Sequence, residues 1–326
     1  MATDFHILCG FLGSGKTTLL LDFLRSAEGA DTAVLVNDVG AIDIDGAVVA
    51  EAGGDGPVAM LSNGCVCCSI GNDLVATVDR LVYGRIDAGL PPFRRMILEC
   101  SGLSRPSPIV RSLADLGAHG FRVRVLSTFD AGQGAAHAEN FEEAAAQLAA
   151  AQTVVLTKLD VPGAPSAEAA GEAARGINPL AQVVAEPDPA ARALAAFAGR
   201  GPAAPFEDPA AMVGGLRAMR HPRIGVFLAT VPAGRDWDAV AYWIEDLAAR
   251  CGDRLLRVKG LVAVAGIDGA LLIQGVGTTF GPPMRMRPGT GAATGGAGRV
   301  VIIAHDLPRA ELAEACEPHG VVVVET

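Results

Sequence analysis

Residues 10–18 read "GFLGSGKTT", and the fold turns on them. Gly10, Gly15, Lys16 and Thr17 meet the spacing G-x-x-x-x-G-K-[ST], which marks a phosphate-binding loop when it follows a strand and opens a helix. The flanks supply that setting: "FHILC" is the apolar run of a buried strand and "TTLLLDFLRSA" has a helical period. In such a loop the backbone N–H groups curl around phosphate oxygens, and the helix N-terminus adds favourable partial charge. Lys16 then reaches the terminal phosphates, and the Thr17 hydroxyl is placed to ligate Mg²⁺. A glycine-rich turn that holds no ligand is the competing reading, and spacing and flanks together disfavour it.

Outward from this loop the chain alternates apolar runs with helical stretches: "TAVLVN", "DLVATVDRLVYG", "RMILEC", "RVRVLSTFD", "EEAAAQLAAA" and "TVVLTKLD". Strand, helix, strand is the rhythm of a parallel sheet. The strand runs are nearly continuous in Val, Ile and Leu, as expected when helices cover both sheet faces. The expectation is an α/β fold, a doubly wound and mostly parallel sheet of P-loop type, over residues 1–200. Residues 201–222, rich in Gly, Pro and Ala without a sustained period, read as a linker. Beyond it, residues 223–326 carry "RIGVFLATV", an amphipathic "DWDAVAYWIEDLAARCG", "RLLRVKGLVAVAG", "ALLIQGVG", "RVVIIAHDL", "RAELAEACEPHG" and "VVVVE", the pattern of a second, smaller α+β domain. The stretch "RPGTGAATGGAG" within it has the composition of a flexible loop.

Composition narrows the function. Half of the 326 residues are apolar, which is ample for a buried core. A net charge of −10 with no basic block excludes general attraction to nucleic acid, so any phosphate must be held locally. No apolar run reaches the length of a membrane span, and the chain enters its first strand without a basic leader, which predicts a cytoplasmic protein. The seven cysteines are an odd number, unevenly spaced, so a disulfide framework is not expected. Cys9, Cys100, Cys251 and Cys316 read as small buried hydrophobes.

Three further segments bear on the nucleotide. "TVVLTKLD" ends in Thr157, Lys158 and Asp160. A carboxylate at Asp160 accepts from the ring N–H and exocyclic amine of guanine, whereas adenine would present a lone pair to it. The Lys158 stem suits stacking on a base. "RMILECSG" is an apolar strand ending in Glu99 with Gly102 just beyond, where a P-loop fold places an acid for Mg²⁺ or the attacking water. Asp38, in "VNDVG" after the second strand, is a further contact from a switch-like loop.

Cys65, Cys67 and Cys68 lie in "NGCVCCS", behind a turn-favouring Asn63-Gly64. Three thiolates in four residues form a soft-metal pattern suited to Zn²⁺, Cu⁺ or, with a nitrogen or oxygen partner, Co²⁺. The spacing is too compact for a zinc finger, and no second cysteine pair completes a four-ligand structural site. The reading is an exchangeable metal; packed or redox-active thiols are the plainer alternative.

The combination "GFLGSGKTTLL", "GCVCC", "ECSGLSRPSP" and "TKLD", followed by "RLLRVKGLVAVAG" and "LLIQGVG", resembles the CobW family of metal-linked GTPases, relatives of the hydrogenase and urease maturation GTPases. The resemblance spans essentially the whole chain. It implies that Gly13, Ser14, Gly15, Lys16, Thr17 and Thr18 bind the phosphates of GTP, that Asp160 reads guanine, and that Cys65, Cys67 and Cys68 hold a transition metal. It implies a client metalloprotein or metal-cofactor biosynthesis enzyme as partner, with a homodimer as an open assembly and neither nucleic acid nor membrane as a partner. Departures are visible: "TKLD" stands for Asn-Lys-x-Asp, "NDVG" for Asn-Glu-Phe-Gly and "ECSG" for Glu-Thr-Thr-Gly. A histidine-rich tract is missing, with six His in all, so metal storage is not expected.

The reading is therefore a GTP-hydrolysing metallochaperone or metalloenzyme activator with slow intrinsic turnover, since no arginine finger or switch glutamine is identifiable. Lys16, Glu99 and Asp38 are its candidate catalytic residues. The cysteine loop lies between the Asp38 and Glu99 segments, so metal and nucleotide state can share one moving element. The rival is a P-loop kinase that transfers phosphate from ATP to a small substrate, with structural cysteines.

Overall fold

The structure, a computed structural model, describes residues 3–37, 58–60, 70–114, 116, 119–197, 222–286 and 297–325. Two compact units are present, one of Met1–Ala174 and Ala181–Gly199, the other of Arg175–Leu180 and Arg200–Thr326. Asp38, Cys65, Cys67 and Cys68 lie outside the described residues.

The first unit is built on strands β1 (Asp4–Gly10), β2 (Thr32–Val36), β3 (Val58–Met60), β4 (Arg95–Glu99), β5 (Arg122–Asp130), β6 (Thr153–Thr157) and β7 (Gln182–Val184). They form one sheet in the order β3-β2-β4-β1-β5-β6-β7, and every pair is parallel. Helices α1 (Lys16–Leu24), α2 (Ile70–Asp87), α3 (Pro106–Ala114), α4 (Gly134–Asn140), α5 (Glu142–Ala150), α6 (Ala167–Ile177) and α7 (Pro189–Phe197) connect them. The doubly wound parallel sheet expected from the rhythm of apolar runs is the one observed.

Burial explains the unbroken apolar strands. From Phe5 to Gly10 every residue of β1 is buried. On one face Leu8, Val34, Val36, Ile97, Leu126 and Val155 pack with Leu20 and Phe23 of α1 and Phe197 of α7. His6 points to that same face, its ring 5.5 Å from the Phe197 ring. Burial, together with the charges of Arg124 and Arg95, pushes its pKa down from 6.5 to about 3.

The chain leaves β1 through α1 toward β2 on one side, and leaves β4 through α3 toward β5 on the other. The carboxyl ends of β1, β4 and β5 therefore flank the point at which the winding reverses. A crevice at that place is where open parallel sheets hold ligands.

The second unit carries β8 (Ile224–Val231), β9 (Leu255–Ala263), β10 (Ala270–Val276), β11 (Thr279–Phe280), β12 (Met284–Arg285), β13 (Gly298–His305) and β14 (Val322–Glu325). Their order is β11-β10-β9-β13-β8-β14 with β12 on β10, and the pairings are antiparallel. Helices α8 (Trp237–Cys251) and α9 (Arg309–Cys316) cover one face. Trp243, Leu247 and Leu312 meet Phe227, Val258, Val300 and Ile302 in its core. The Asp236 carboxylate caps α8 by accepting from the Ala239 N–H at 2.8 Å. This is the smaller α+β domain read from the sequence, and its sheet is antiparallel. No described helix is long and apolar enough to cross a membrane.

Candidate functional site

The loop between β1 and α1 is shaped by backbone that side chains would obstruct. Gly10 has φ +146°, and a Cβ there would fall 2.0 Å from the Thr128 Oγ1 and 2.6 Å from the Ser14 Oγ. Only glycine fits between the loop and β5. Gly13 and Gly15 also have positive φ, 69° and 91°, and Gly15 is the left-handed residue from which α1 starts. The helix has no side-chain cap, so its first N–H groups are left to face the loop's interior, the arrangement an anion uses.

The floor of the loop is tied to the neighbouring strands. Ser14 is buried, with its Oγ 2.7 Å from the Thr128 Oγ1 of β5. Thr157, at the end of β6, donates its hydroxyl to the Ser14 carbonyl at 2.8 Å, with the Phe129 carbonyl at 3.2 Å. The threonine that replaces the asparagine of the Asn-Lys-x-Asp pattern thus braces the cradle rather than reaching outward. Phe11 stacks on Phe141 with ring centroids 4.7 Å apart, which fixes the loop's outer side against α5. Lys16 donates its ammonium to the Gly10 carbonyl at 3.0 Å, with the Phe11 carbonyl at 3.4 Å, and so lies across the loop it belongs to. Thr18 is exposed on the first turn of α1.

The acid at the end of β4 meets the cradle directly. Glu99 is buried, and the Thr17 hydroxyl donates to its Oε1 at 2.6 Å. A hydroxyl and a carboxylate oxygen side by side, both hard donors, are the chemistry that suits Mg²⁺. Behind them Cys9 and Cys100 are buried thiols; the hydrogen bond the Cys100 thiol makes to Cys9, and then burial, push the Cys100 pKa up, which holds it protonated. The described cysteines Cys9, Cys100, Cys251 and Cys316 are all free and buried, as expected of small hydrophobes.

Beyond β6, Lys158 adopts φ 57°, a left-handed conformation uncommon outside glycine. Its ammonium pairs with the Asp130 carboxylate at 2.8 Å. Asp130 also accepts from the Gly132 N–H at 2.9 Å and the Gln133 N–H at 3.2 Å. Burial acts to raise the Asp130 pKa, but the Lys158 ammonium and those two N–H groups outweigh it and hold the carboxyl below its usual range. Asp160, two residues on, is exposed.

Lys16, Thr17, Glu99, Ser14 and Thr157 are therefore brought together at the switch point, and Lys158 joins them through β6. Sequence reasoning missed Asp130, the anchor of Lys158, and Gln147, which donates to the Gly102 and Ser104 carbonyls. Asp130 was within reach, because it is an acid at the end of the strand-like run "RVRVLSTFD".

A glycine-lined loop at the reversal of a parallel sheet, with a hydroxyl–carboxylate pair beside it, defines a P-loop nucleotide-binding protein. Residues 4–185 match the CobW/HypB/UreG nucleotide-binding domain and residues 224–317 the cobalamin synthesis protein cobW C-terminal domain, and the chain belongs to this family. It is 30% identical to the zinc chaperone YjiA of Escherichia coli (strain K12) over 286 residues, 83% of this chain and 85% of that protein. Against the zinc-regulated GTPase metalloprotein activator 1 of Dictyostelium discoideum it is 37% identical over 117 residues, 32% of this chain and 23% of that protein. The crystal structure of the Zn(II)-bound YjiA GTPase from E. coli shares the fold, with a TM-score of 0.65 at 23% identity over 97% of this chain and 98% of that one.

Proposed function

We propose that this chain is a GTP-hydrolysing metallochaperone or metalloenzyme activator with Zn²⁺ as its cargo, a cytoplasmic protein that serves a client metalloprotein. The observation that carries the nucleotide half is the 2.6 Å bond between the Thr17 hydroxyl and the buried Glu99 carboxylate at the mouth of the cradle. Thr17 and Glu99 are the residues to hold Mg²⁺, which when bound would neutralise charge on the β- and γ-phosphates. Lys16 exchanges its carbonyl partners for the terminal phosphates, and the N–H groups of Gly13 through Thr18 take the remaining oxygens. In this reading Glu99 orients the attacking water, and Asp160 accepts from the two guanine donors. Asp38, which follows β2 in sequence, is a second candidate acid.

The metal half rests on Cys65, Cys67 and Cys68 and on the names of the relatives, which are zinc chaperones and a zinc-regulated GTPase activator. In this reading residues 1–200 form the nucleotide and metal domain, 201–222 a linker and 223–326 a client-facing domain. The cysteine loop sits in sequence between Asp38 and Glu99, so a change at the γ-phosphate and a change at the thiolates act on one segment.

The test is a Zn²⁺ titration against a chromophoric chelator, once with a nonhydrolysable GTP analogue and once with GDP. A coupling in the usual range shifts the zinc dissociation constant by roughly 5- to 150-fold between the two states. Serine at all three cysteines should abolish zinc binding and the shift together while sparing nucleotide affinity in metal-free buffer. Equal zinc affinity in both states sinks the coupling, and absence of phosphate release from GTP sinks the GTPase.

A further inference from the structure

We propose that Gln147 is a positioning residue for nucleotide turnover, which fixes the loop behind Glu99 against the cradle. The inference rests on the GTPase reading above and concerns the same site. Gln147 lies in the middle of α5 with no exposure at all. Its Nε2 donates to the Gly102 carbonyl and to the Ser104 carbonyl, each at 2.9 Å. One carboxamide thus spends both of its N–H groups on a single loop, the one that starts at Glu99.

That loop touches the cradle at close range. A Cβ on Gly102 would come within 2.6 Å of the Leu12 Cδ2 and 2.8 Å of the Leu12 N, so the two backbones are in contact where Gly102 passes. The far end of the loop is held to the same helix, since Arg105 pairs with Glu142 at 2.6 Å and lies 3.4 Å from Glu143. The residue before α5, Phe141, is the one stacked on Phe11 of the cradle. One helix therefore holds both parts that must meet a γ-phosphate: the cradle through Phe141, and the acid's loop through Gln147 and Arg105.

The other end of the carboxamide points to the same conclusion. Gln147 Oε1 is buried without a hydrogen-bond partner among the described residues, and so is Ser127 Oγ. Both residues line a cavity of about 10 Å³ that Ser14 and Thr128 also line. That volume is at the lower bound for one water, and a water needs two to four polar partners of this kind. A water here would join Gln147 to the Ser14–Thr128 pair under the cradle floor.

A buried glutamine that served only packing would lose stability when replaced, without distinguishing nucleotides. A positioning role predicts a difference that depends on the γ-phosphate. Gln147→Met keeps the length and removes both donors. With wild type and variant both shown folded by circular dichroism, the variant should bind GDP within about threefold of wild type. Its affinity for a nonhydrolysable GTP analogue should fall, and kcat for GTP should fall by roughly ten- to a hundredfold, the scale of a 1 Å misplacement. Gln147→Glu, which can donate one bond at most, should fall between the two and serves if the methionine variant does not fold. Loss of GDP and GTP-analogue affinity in equal measure, or an unchanged kcat, overturns the proposal. If wild type itself shows no turnover, the GTPase reading fails, and the ratio of analogue to GDP affinity still decides the role of Gln147.

Discussion

Thr157→Val keeps the shape of a buried side chain and deletes one hydroxyl. In the structure that hydroxyl donates to the Ser14 carbonyl at 2.8 Å, with a longer approach of 3.2 Å to the Phe129 carbonyl. A methyl in its place leaves the packing against Gly15 intact, since Thr157 Cγ2 lies at an ordinary 3.5 Å from the position of a Cβ there. The cost is then the hydrogen bond itself plus the desolvated Ser14 carbonyl, together about 1–3 kcal/mol. This cost divides between two measurements. If the cradle keeps its shape, the loss appears as reduced stability of the empty protein; if the cradle relaxes to find another donor, it appears as reduced nucleotide affinity. An even division of about 2 kcal/mol gives about 1 kcal/mol in urea unfolding and roughly a fivefold rise in the dissociation constant for a fluorescent GTP analogue. Thr157→Ser retains the donor and should leave nucleotide affinity near wild type. A combined loss under about 0.5 kcal/mol would refute the claim that Thr157 braces the cradle.

Glu99→Gln should retain GTP binding and slow phosphate release by roughly a hundredfold, on the scale of removing one preorganised electrostatic group; unchanged turnover would remove Glu99 from the chemistry. Asp160→Asn should lower GTP affinity, and equal binding of ATP and GTP to the intact protein, measured by equilibrium dialysis, would exclude Asp160 as the base reader. Asp130→Ala frees the Lys158 ammonium and should reduce the preference for GTP over ATP, while pyrophosphate, which needs only the cradle, binds as before. His6 sets a pH dependence of stability. Its folded pKa, about 3, lies below its unfolded value of 6.5, so the unfolded chain binds the extra proton. The contribution is therefore complete above about pH 6.5 and is lost as pH falls toward 3, on the order of 2 kcal/mol by pH 5. Urea unfolding at pH 7 and pH 5 should show that slope in wild type, and His6→Leu should flatten it by that amount.

The fold was legible because the physics that writes it acts locally along the chain. A strand covered on both faces has to be apolar at consecutive positions, and "FHILC", "RMILEC" and "TVVLT" are so. Gly10 and Gly15 announce backbone that no side chain tolerates, and their spacing puts the start of α1 within a residue. The order of the strands was not legible. Nothing local tells β4 to insert between β1 and β2, because that choice is made by which helix packs on which face after the chain has crossed over. The partner of Thr157 was not legible for the same reason: the acceptor it serves, the Ser14 carbonyl, is 143 residues away in the chain.

Asp130 and Gln147 show how much further local reasoning can be taken. Glu99 was found because an acid at the carboxyl end of a buried parallel strand stands at the ligand crevice. Asp130 ends "RVRVLSTFD" in the same manner, and the same rule applied to every strand of the sheet would have found it. Gln147 required a different rule. In "EEAAAQLAA" the seven residues after the two glutamates are all buried, so the helix places an amide where its period calls for an apolar side chain. A buried amide is retained only where its N–H groups find acceptors, or else its desolvation destabilises the fold by about 1–3 kcal/mol. A glutamine in an alanine-rich buried helix is therefore a statement that carbonyls lie opposite it. In a parallel sheet the unpaired carbonyls nearest a covering helix belong to the loops at the strand ends, and the loop beside α5 is the one that carries Glu99.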